Sequence, residues 1–225
     1  MRTVGIIGSG RIGGTVARLA VAGGYSVVVS NSRGSETLAD LVAELGPRAR
    51  AATPAEAAEA GDLVVISVPV RAYTEVPVEP LEGKTVLDTI NYDPRLHGHI
   101  AELDAALADA SITTSEMVQQ RLPGSHVVKA LNNIFFHTLR TLTRPNGAAD
   151  RTALPIAGDD PDAKADASRF LDAIGYDTVD AGPLAEGWRW QPGTPAHVIY
   201  AGETVQVAVP GNAARVRGAL AAATR

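Results

Sequence analysis

The sequence predicts an α/β protein: a doubly wound, mostly parallel sheet followed by a small C-terminal α/β lobe and a tail. Three observations predict it. Short β-branched runs alternate with segments of helical apolar spacing along most of the 225 residues. Asp62-Leu63-Val64-Val65-Ile66-Ser67-Val68 is apolar almost throughout, as a parallel strand covered on both faces should be. A glycine-rich run, Gly8-Ser9-Gly10-Arg11-Ile12-Gly13, joins the first strand to the first helix.

Residues 3–7 form the first strand, and residues 12–22, with Ile12, Val16, Leu19 and Ala20 on one stripe, the first helix. Residues 25–30 are a second β-branched strand. Residues 35–45 have helical spacing and are stopped by Gly46-Pro47. Residues 48–52 read as a short strand. Thr53-Pro54-Ala55-Glu56 supplies an N-cap, a first-turn proline and a capping-box glutamate for a helix ending near Gly61. The fourth strand, residues 62–68, ends at Pro69. The fifth, residues 84–88, leads into Thr89-Ile90-Asn91-Tyr92. Residues 97–107 read as a helix or extended turn, residues 115–122 as a helix and residues 125–131 as a sixth strand, with Asn132-Asn133-Ile134-Phe135-Phe136 at its carboxyl end. Thr143-Arg144-Pro145-Asn146-Gly147 is a boundary loop. It divides residues 1–145 from a lobe and tail over residues 146–225. In the lobe, strands at 153–158 and 176–180 bracket a helix at 162–174, one more βαβ unit. The tail carries Trp188 and Trp190, an irregular Gln191-Pro192-Gly193-Thr194-Pro195, a hairpin of residues 197–200 and 204–209 over Ala201-Gly202, and a last helix over 212–223.

A net charge of −5 and a pI near 5.5 argue against a nucleic-acid-binding surface. With no cysteine there are no disulfides, thiolate metal sites or cysteine nucleophile. A first strand at residue 3 leaves no room for a signal peptide, and no apolar run approaches ~20 residues. These features lead us to expect a cytoplasmic protein with neither membrane nor nucleic acid among its partners.

A G-x-G-x-x-G between a strand and an amphipathic helix, with a second strand behind, is the setting in which this motif binds a dinucleotide. The first glycine (Gly8) permits the tight turn, the second (Gly10) lets backbone approach a pyrophosphate, and the third (Gly13) lets helix and strand pack closely. The helix N-terminus offers free N–H groups and a positive dipole end. NAD sites usually place an acid at the end of the second strand. Here the chain reads Ser30-Asn31-Ser32-Arg33-Gly34. Asn31 and Ser32 offer neutral donors and Arg33 a charged fork, which suits the 2′-phosphate of NADP(H). The bland alternative pairs Arg33 with Glu36 on the helix surface.

Ligands of a doubly wound sheet sit outside the carboxyl ends of its strands. That puts Ser67, Val68, Pro69 and Asn91 on the rim beside the glycine turn, with Ala130 and Asn132 at the sixth strand's end. Asn132 and Asn133 are candidate donors to a nicotinamide or substrate. Phe135 and Phe136 either wall a flat ring or, as we favour, belong to the core. The tryptophans read as anchors of the tail to its core. Residues 121–151 hold five basic residues (Arg121, Lys129, Arg140, Arg144, Arg151) against one acid, Asp150, which fits an acidic ligand or a solvated helix face equally. His97 and His99 with no third committed ligand read as loop residues, so no metal is expected. There is no Tyr-x-x-x-Lys, Gly-x-Ser-x-Gly or phosphate-loop motif. Lys129-Ala130-Leu131-Asn132 looks somewhat like the Lys-x-x-Asn of β-hydroxyacid dehydrogenases, but its flanks are β-like rather than helical.

Several stretches together resemble the NADPH-dependent reductase family of the deazaflavin coenzyme F420. They are Gly8-Ser9-Gly10-Arg11-Ile12-Gly13, the corner Asn31-Ser32-Arg33, Val68-Pro69, Val127-Val128-Lys129-Ala130-Leu131-Asn132, and the closing pair Leu154-Pro155-Ile156-Ala157-Gly158-Asp159-Asp160 and Asp180-Ala181-Gly182-Pro183-Leu184. The resemblance implies a Rossmann NADP-binding domain over residues 1–145, a small lobe after it, a homodimer, and hydride transfer between NADPH and a deazaflavin stacked ring on ring. It places Ser9, Arg11, Ile12, Asn31, Ser32 and Arg33 on NADP and Asn132 near the nicotinamide, with no certain catalytic acid or base. The competing readings are an NADPH-dependent reductase of a small carbonyl or imine, and a non-catalytic NADP(H)-sensing module.

Overall fold

A computed structural model describes residues 2–108 and 112–224. In chain order the elements are β1 (Thr3–Ile7), α1 (Arg11–Ala22), β2 (Ser26–Ser30), α2 (Ala39–Leu45), β3 (Ala49–Ala51), α3 (Pro54–Ala60), β4 (Leu63–Ile66), β5 (Thr85–Asp88), α4 (Pro94–His97), α5 (Ala101–Ala108), α6 (Thr114–Arg121), β6 (His126–Lys129), α7 (Phe136–Thr141), β7 (Ala153–Gly158), α8 (Pro161–Ala173), β8 (Asp177–Asp180) and α9 (Ala213–Ala221). Short 3-10 helices occupy Ser35–Leu38, Val70–Glu75, Glu79–Leu81 and Leu184–Trp190. No helix among the described residues is long and apolar enough to cross a membrane.

The strands form one eight-stranded sheet in the order β3-β2-β1-β4-β5-β6-β7-β8. β3 through β6 are mutually parallel. β7 runs antiparallel to β6, with Val128 opposite Gly158 and Lys129 opposite Ala157, and β8 is parallel to β7. The expected doubly wound sheet is therefore present, and the closing βαβ unit extends it. The sheet is apolar on both faces, which explains the unbroken run in β4. Leu63 and Val65 join the core that holds α1 and α8, while Val64 and Ile66 join the opposite one with Leu81, Leu103, Val118 and Leu122.

Local chemistry sets the helix starts. Thr53 caps α3 with a complete capping box through Glu56. Thr113 and Glu116 do the same for α6. Asp160 and Asn212 cap α8 and α9 by accepting from Ala163 N and Arg215 N. Close packing sets the middle of β1: a Cβ on Gly5 would lie 2.2 Å from the carbonyl oxygen of Ala57, so α3 rests on bare backbone there.

Three expectations need correction. The tail hairpin is not formed. Residues 197–209 are turns held by a single antiparallel bridge, Ala201 to Ala208; Ile199 and Tyr200 are drawn into the core as consecutive residues, while Val198, Val205 and Val207 stay exposed, so the alternation of a strand pair is lost. Phe135 and Phe136 are not core: Phe135 is half-buried and Phe136 exposed, because Leu139 and Leu142, not the phenylalanines, fill the buried side of α7. The basic stretch 121–151 forms no receiving patch. Lys129 and Arg151 are buried, Arg151 pairing with Asp172 and Asp177. Arg144 pairs with Asp150, and Arg121 donates to the carbonyls of Thr74 and Val76. Trp190 does anchor the tail: it is fully buried, whereas Trp188 is half-buried with Arg189 over its ring.

Because Ala57 leaves no room for a side chain, Gly5→Ala is expected to cost about 1–3 kcal/mol of stability. Urea unfolding at constant m-value checks it.

Candidate functional site

The carboxyl ends of β2, β1, β4, β5 and β6 stand in a row, four interstrand spacings or roughly 19 Å from end to end. A solvent-open cleft of about 750 Å³ runs along the first part of it, lined by Gly8, Ser9, Gly10, Asn31, Ser32, Arg33, Ser67, Val68 and Pro69. These are nine of the predicted site residues, brought together from three separate turns. Pro54, Ala72, Glu75 and Val76, with Ile7 at the end of β1, form the rest of its walls. The sequence reading did not single them out: Pro54 reads as a helix-start residue, and the Val70–Glu75 turn carries no motif.

The three motif glycines do three different things. Gly8 has φ +98°, and a Cβ there would lie 2.2 Å from the carbonyl oxygen of Ser67. A Cβ on Gly13 would lie 1.9 Å from the carbonyl oxygen of Gly8, which is why α1 can start so close to β1. Gly10 has no protein atom within 4 Å of where its Cβ would be. The space beside Gly10 is thus open, at the head of a helix whose N-cap has no side-chain hydrogen bond. First-turn N–H groups with no cap and a positive dipole end form a seat for a phosphate. Ser9 donates to the carbonyl of Ser30 at 2.9 Å and so ties the turn to the end of β2.

At the β2 corner, Asn31 shapes the loop. Its Oδ1 accepts from Arg33 N at 2.9 Å and its Nδ2 donates to Thr37 Oγ1 at 2.9 Å. Arg33 is exposed and makes no ion pair among the described residues; the Glu36 carboxylate instead lies over Gly34. No acid stands on β2's last residues, and Ser32 and Arg33 face solvent. The fit to a 2′-phosphate is therefore one free guanidinium and one free hydroxyl at the mouth of the cleft.

The other predicted residues lie outside this cleft. Arg11 is exposed, with its guanidinium 5.4 Å from the ring centre of Phe136, a cation–π contact joining α1 to α7. Ile12 and Gly13 pack under the turn. Ala130 is fully buried, its N–H donating to the carbonyl of Asp88 at 3.0 Å. Asn91 and Asn132 meet: Asn91 Nδ2 donates to the Asn132 carbonyl, and Asn132 Nδ2 donates to Asn91 Oδ1 at 3.0 Å and to the Trp190 carbonyl at 3.2 Å. Asn132 is 7% exposed and Asn91 is half-buried, so Asn91 is the member that reaches the rim. Asn133 is buried and donates to the carbonyl of Ala196. Leu131, between Ala130 and Asn132, has φ +63°, a left-handed conformation that a leucine rarely adopts.

Lys129 stands on β6, fully buried, and cannot offer its ammonium to a ligand as a helix-borne Lys-x-x-Asn would. His97 Nδ1 accepts from Asp93 N, and His99 pairs with Asp104. The reading missed His197, on the irregular tail. Its Nδ1 lies 3.3 Å from the Trp190 carbonyl, and burial holds its pKa below the ordinary histidine value, the Trp190 hydrogen bond opposing.

The first 90 positions of this arrangement recur elsewhere. Residues 3–92 match the family model described as NADP oxidoreductase, coenzyme F420-dependent. The F420-dependent NADP reductase of Methanothermobacter marburgensis is 31% identical over 184 residues, 76% of this chain and 79% of that protein. The YjhV protein of Escherichia coli is 37% identical over 70 residues, 27% of this chain, and the match spans about half (51%) of that protein's length. Among solved structures, the hypothetical protein SMa0349 of Sinorhizobium meliloti superposes with a TM-score of 0.76 at 26% identity, over 94% of this chain and 97% of that one.

A depressed folded pKa for His197 means the unfolded chain binds the extra proton first. Stability is then lost as pH falls through the window below about 6.5. His197→Asn should show a shallower decline of melting temperature between roughly pH 7 and 5 than the parent chain; equal slopes would show that His197 does not contribute.

Proposed function

Because the chain belongs to the coenzyme F420-dependent NADP oxidoreductase family, we propose that it transfers a hydride between NADPH and a flat second substrate, the deazaflavin coenzyme F420. It is an NADP-dependent oxidoreductase. The observation that carries the proposal is the open space at Gly10 beside an uncapped helix start, continuous with a β2 corner that has a free arginine and no acid.

In this reading residues 1–145 carry the nucleotide and residues 146–225 wall its reactive end. The N–H groups of the Gly8–Gly13 turn and the head of α1 bind the pyrophosphate. Ser32 and Arg33 bind the 2′-phosphate. Ser67, Val68 and Pro69 flank the middle of the cofactor, and Asn91, steadied by Asn132, orients the nicotinamide end. When bound, NADPH supplies the hydride and the deazaflavin accepts it. The residues at the β5 and β6 ends present no free acid or base to that place. Lys129 and Asp88 are buried, and the Asp93 carboxylate is paired with Arg95, which holds its pKa down. Catalysis then comes from alignment of the two rings. In this reading Phe136, exposed beside Arg11 between α1 and α7, is the flat apolar wall for the second ring. We further propose a homodimer, for which the exposed Val198, Val205 and Val207 of the tail supply an apolar contact surface.

Arg33→Ala should weaken NADPH binding by about 1.5–3 kcal/mol and leave NADH nearly untouched. Titration of both nucleotides checks it; equal losses overturn the phosphate assignment. NADPH oxidation followed with saturating deazaflavin tests the second substrate. Binding without deazaflavin turnover sends the reading to a carbonyl or imine reductase, or to a sensing module.

A further inference from the structure

Behind the row of strand ends, between β5, β6 and α6, lies a polar cluster sealed from water. Lys129 and Asp88 are both fully buried, with Nζ 3.8 Å from Oδ2. Ser115 bridges them: its hydroxyl donates to Asp88 Oδ2 at 2.6 Å and accepts from Lys129 Nζ at 3.0 Å. The two charged groups also hold the backbone of one residue, Ile90, at both its N–H and its carbonyl, and so fix two successive peptide groups. Ile90 N donates to Asp88 Oδ1 at 2.9 Å, and the Ile90 carbonyl accepts from Lys129 Nζ at 3.1 Å. Gly187 lies against the lysine stem, where a Cβ would be 2.7 Å from Lys129 Cδ, so the 3-10 turn of the tail closes the cluster.

As a stability device this arrangement is poor. Burial works against the charge on Lys129, Asp88 only partly opposing it, and an apolar pair of the same volume serves a core as well or better. What an apolar pair cannot do is fix the N–H and the carbonyl of Ile90. The next residue is Asn91. Its side chain is locked in turn by the two hydrogen bonds with Asn132, and the backbone before Asn132 is held left-handed at Leu131. Those bonds leave Asn91 with one amide hydrogen and one oxygen lone pair unspent. A primary carboxamide is the chemical group that complements both.

We propose that the Lys129–Asp88–Ser115 cluster is a positioning device that sets Asn91 to receive the carboxamide of the nicotinamide ring. The proposal rests on the NADPH reading above. Asn91 is the contact residue; Lys129, Asp88 and Ser115 act through the backbone N–H and carbonyl of Ile90.

The test compares the parent chain with Asn91→Ala, with the volume-matched apolar pair Asp88→Leu/Lys129→Met, and with the triple variant. Binding is measured for 2′,5′-ADP, which probes only the adenosine end, and for NADPH and its 3-acetylpyridine analogue, which lacks the carboxamide nitrogen. Expected is a double variant with the parent's melting temperature and 2′,5′-ADP affinity. Its NADPH affinity should fall at least about tenfold, with the preference for carboxamide over acetyl lost, and Asn91→Ala should add less than about twofold to it. Parent-like NADPH affinity and preference in the double variant overturn the proposal, and so do losses that multiply in the triple variant. If the double variant melts low, Ser115→Ala takes its place with the same criteria. A parent chain that does not bind 2′,5′-ADP refutes the nucleotide reading itself. One that binds 2′,5′-ADP but does not distinguish NADPH from its 3-acetylpyridine analogue refutes only the role of Asn91.

Discussion

The structure depends on how closely helix α1 approaches strand β1. The would-be Cβ of Gly13 falls 1.9 Å from the carbonyl oxygen of Gly8, and that of Gly8 falls 2.2 Å from the carbonyl oxygen of Ser67. Three turns therefore meet with no side chain between them: the β1 exit, the α1 start and the β4 exit. With β1 at the centre of the parallel strands, this contact fixes where the cleft opens and points the head of α1 into it. A methyl group at Gly13 would push α1 away from the turn, and one at Gly8 would push the turn away from the β4 exit. Packing and anion binding are in this sense one constraint, because the shortness that lets the helix pack also leaves its first turn uncapped.

The sheet reverses direction after β6, and this has consequences for the far end of the row. Because β7 and β8 run antiparallel to β6, β8 points toward the amino end of β6, and the segment after it, tied to Asp159 at Leu184, runs back along β6 to reach Asn132 at the carboxyl end. The 3-10 turn Leu184–Trp190 packs against β6, β7 and α6. Trp190, fully buried, brings its carbonyl to Asn132 and to His197. Residues far along the chain thus reach the carboxyl end of β6, beyond the cleft that the opening turns line.

Much of this was legible in the sequence, for identifiable reasons. The glycine turn, the capping boxes and the apolar strand runs are local signals, each read within a few residues. The acid-free corner at Ser32 and Arg33 was legible too, although Asn31 turned out to build the loop. What escaped were features that exist only through contacts distant in sequence. Phe136 looks like core until Leu139 and Leu142 take the inner side of α7. Lys129 looks like part of a basic stretch until Asp88 and Ser115, 41 and 14 residues away, close around it. The hairpin at 197–209 has the alternating residues of a strand pair, but the core takes the neighbours Ile199 and Tyr200 together and leaves the second arm's Val205 and Val207 exposed. His197 carries no motif; only the fold of the tail gives it a partner.

The two ends of the row solve different physical problems. At the β2 corner the charged group is long, exposed and free of partners. That is sufficient for a phosphate, since the attraction of a guanidinium for a dianion falls slowly with small displacements and tolerates side-chain motion. At the β5 and β6 ends Lys129, Asp88 and Ser115 are buried and bonded to one another, and the N–H and carbonyl of Ile90 are held by two opposite charges. The hydride transfer we propose would give no such tolerance: its rate would depend on ring separation and angle, and an error of about 1 Å costs orders of magnitude. A site that binds loosely at one end and rigidly at the other places its binding strength where motion is harmless. Its stiffness lies where motion would be costly.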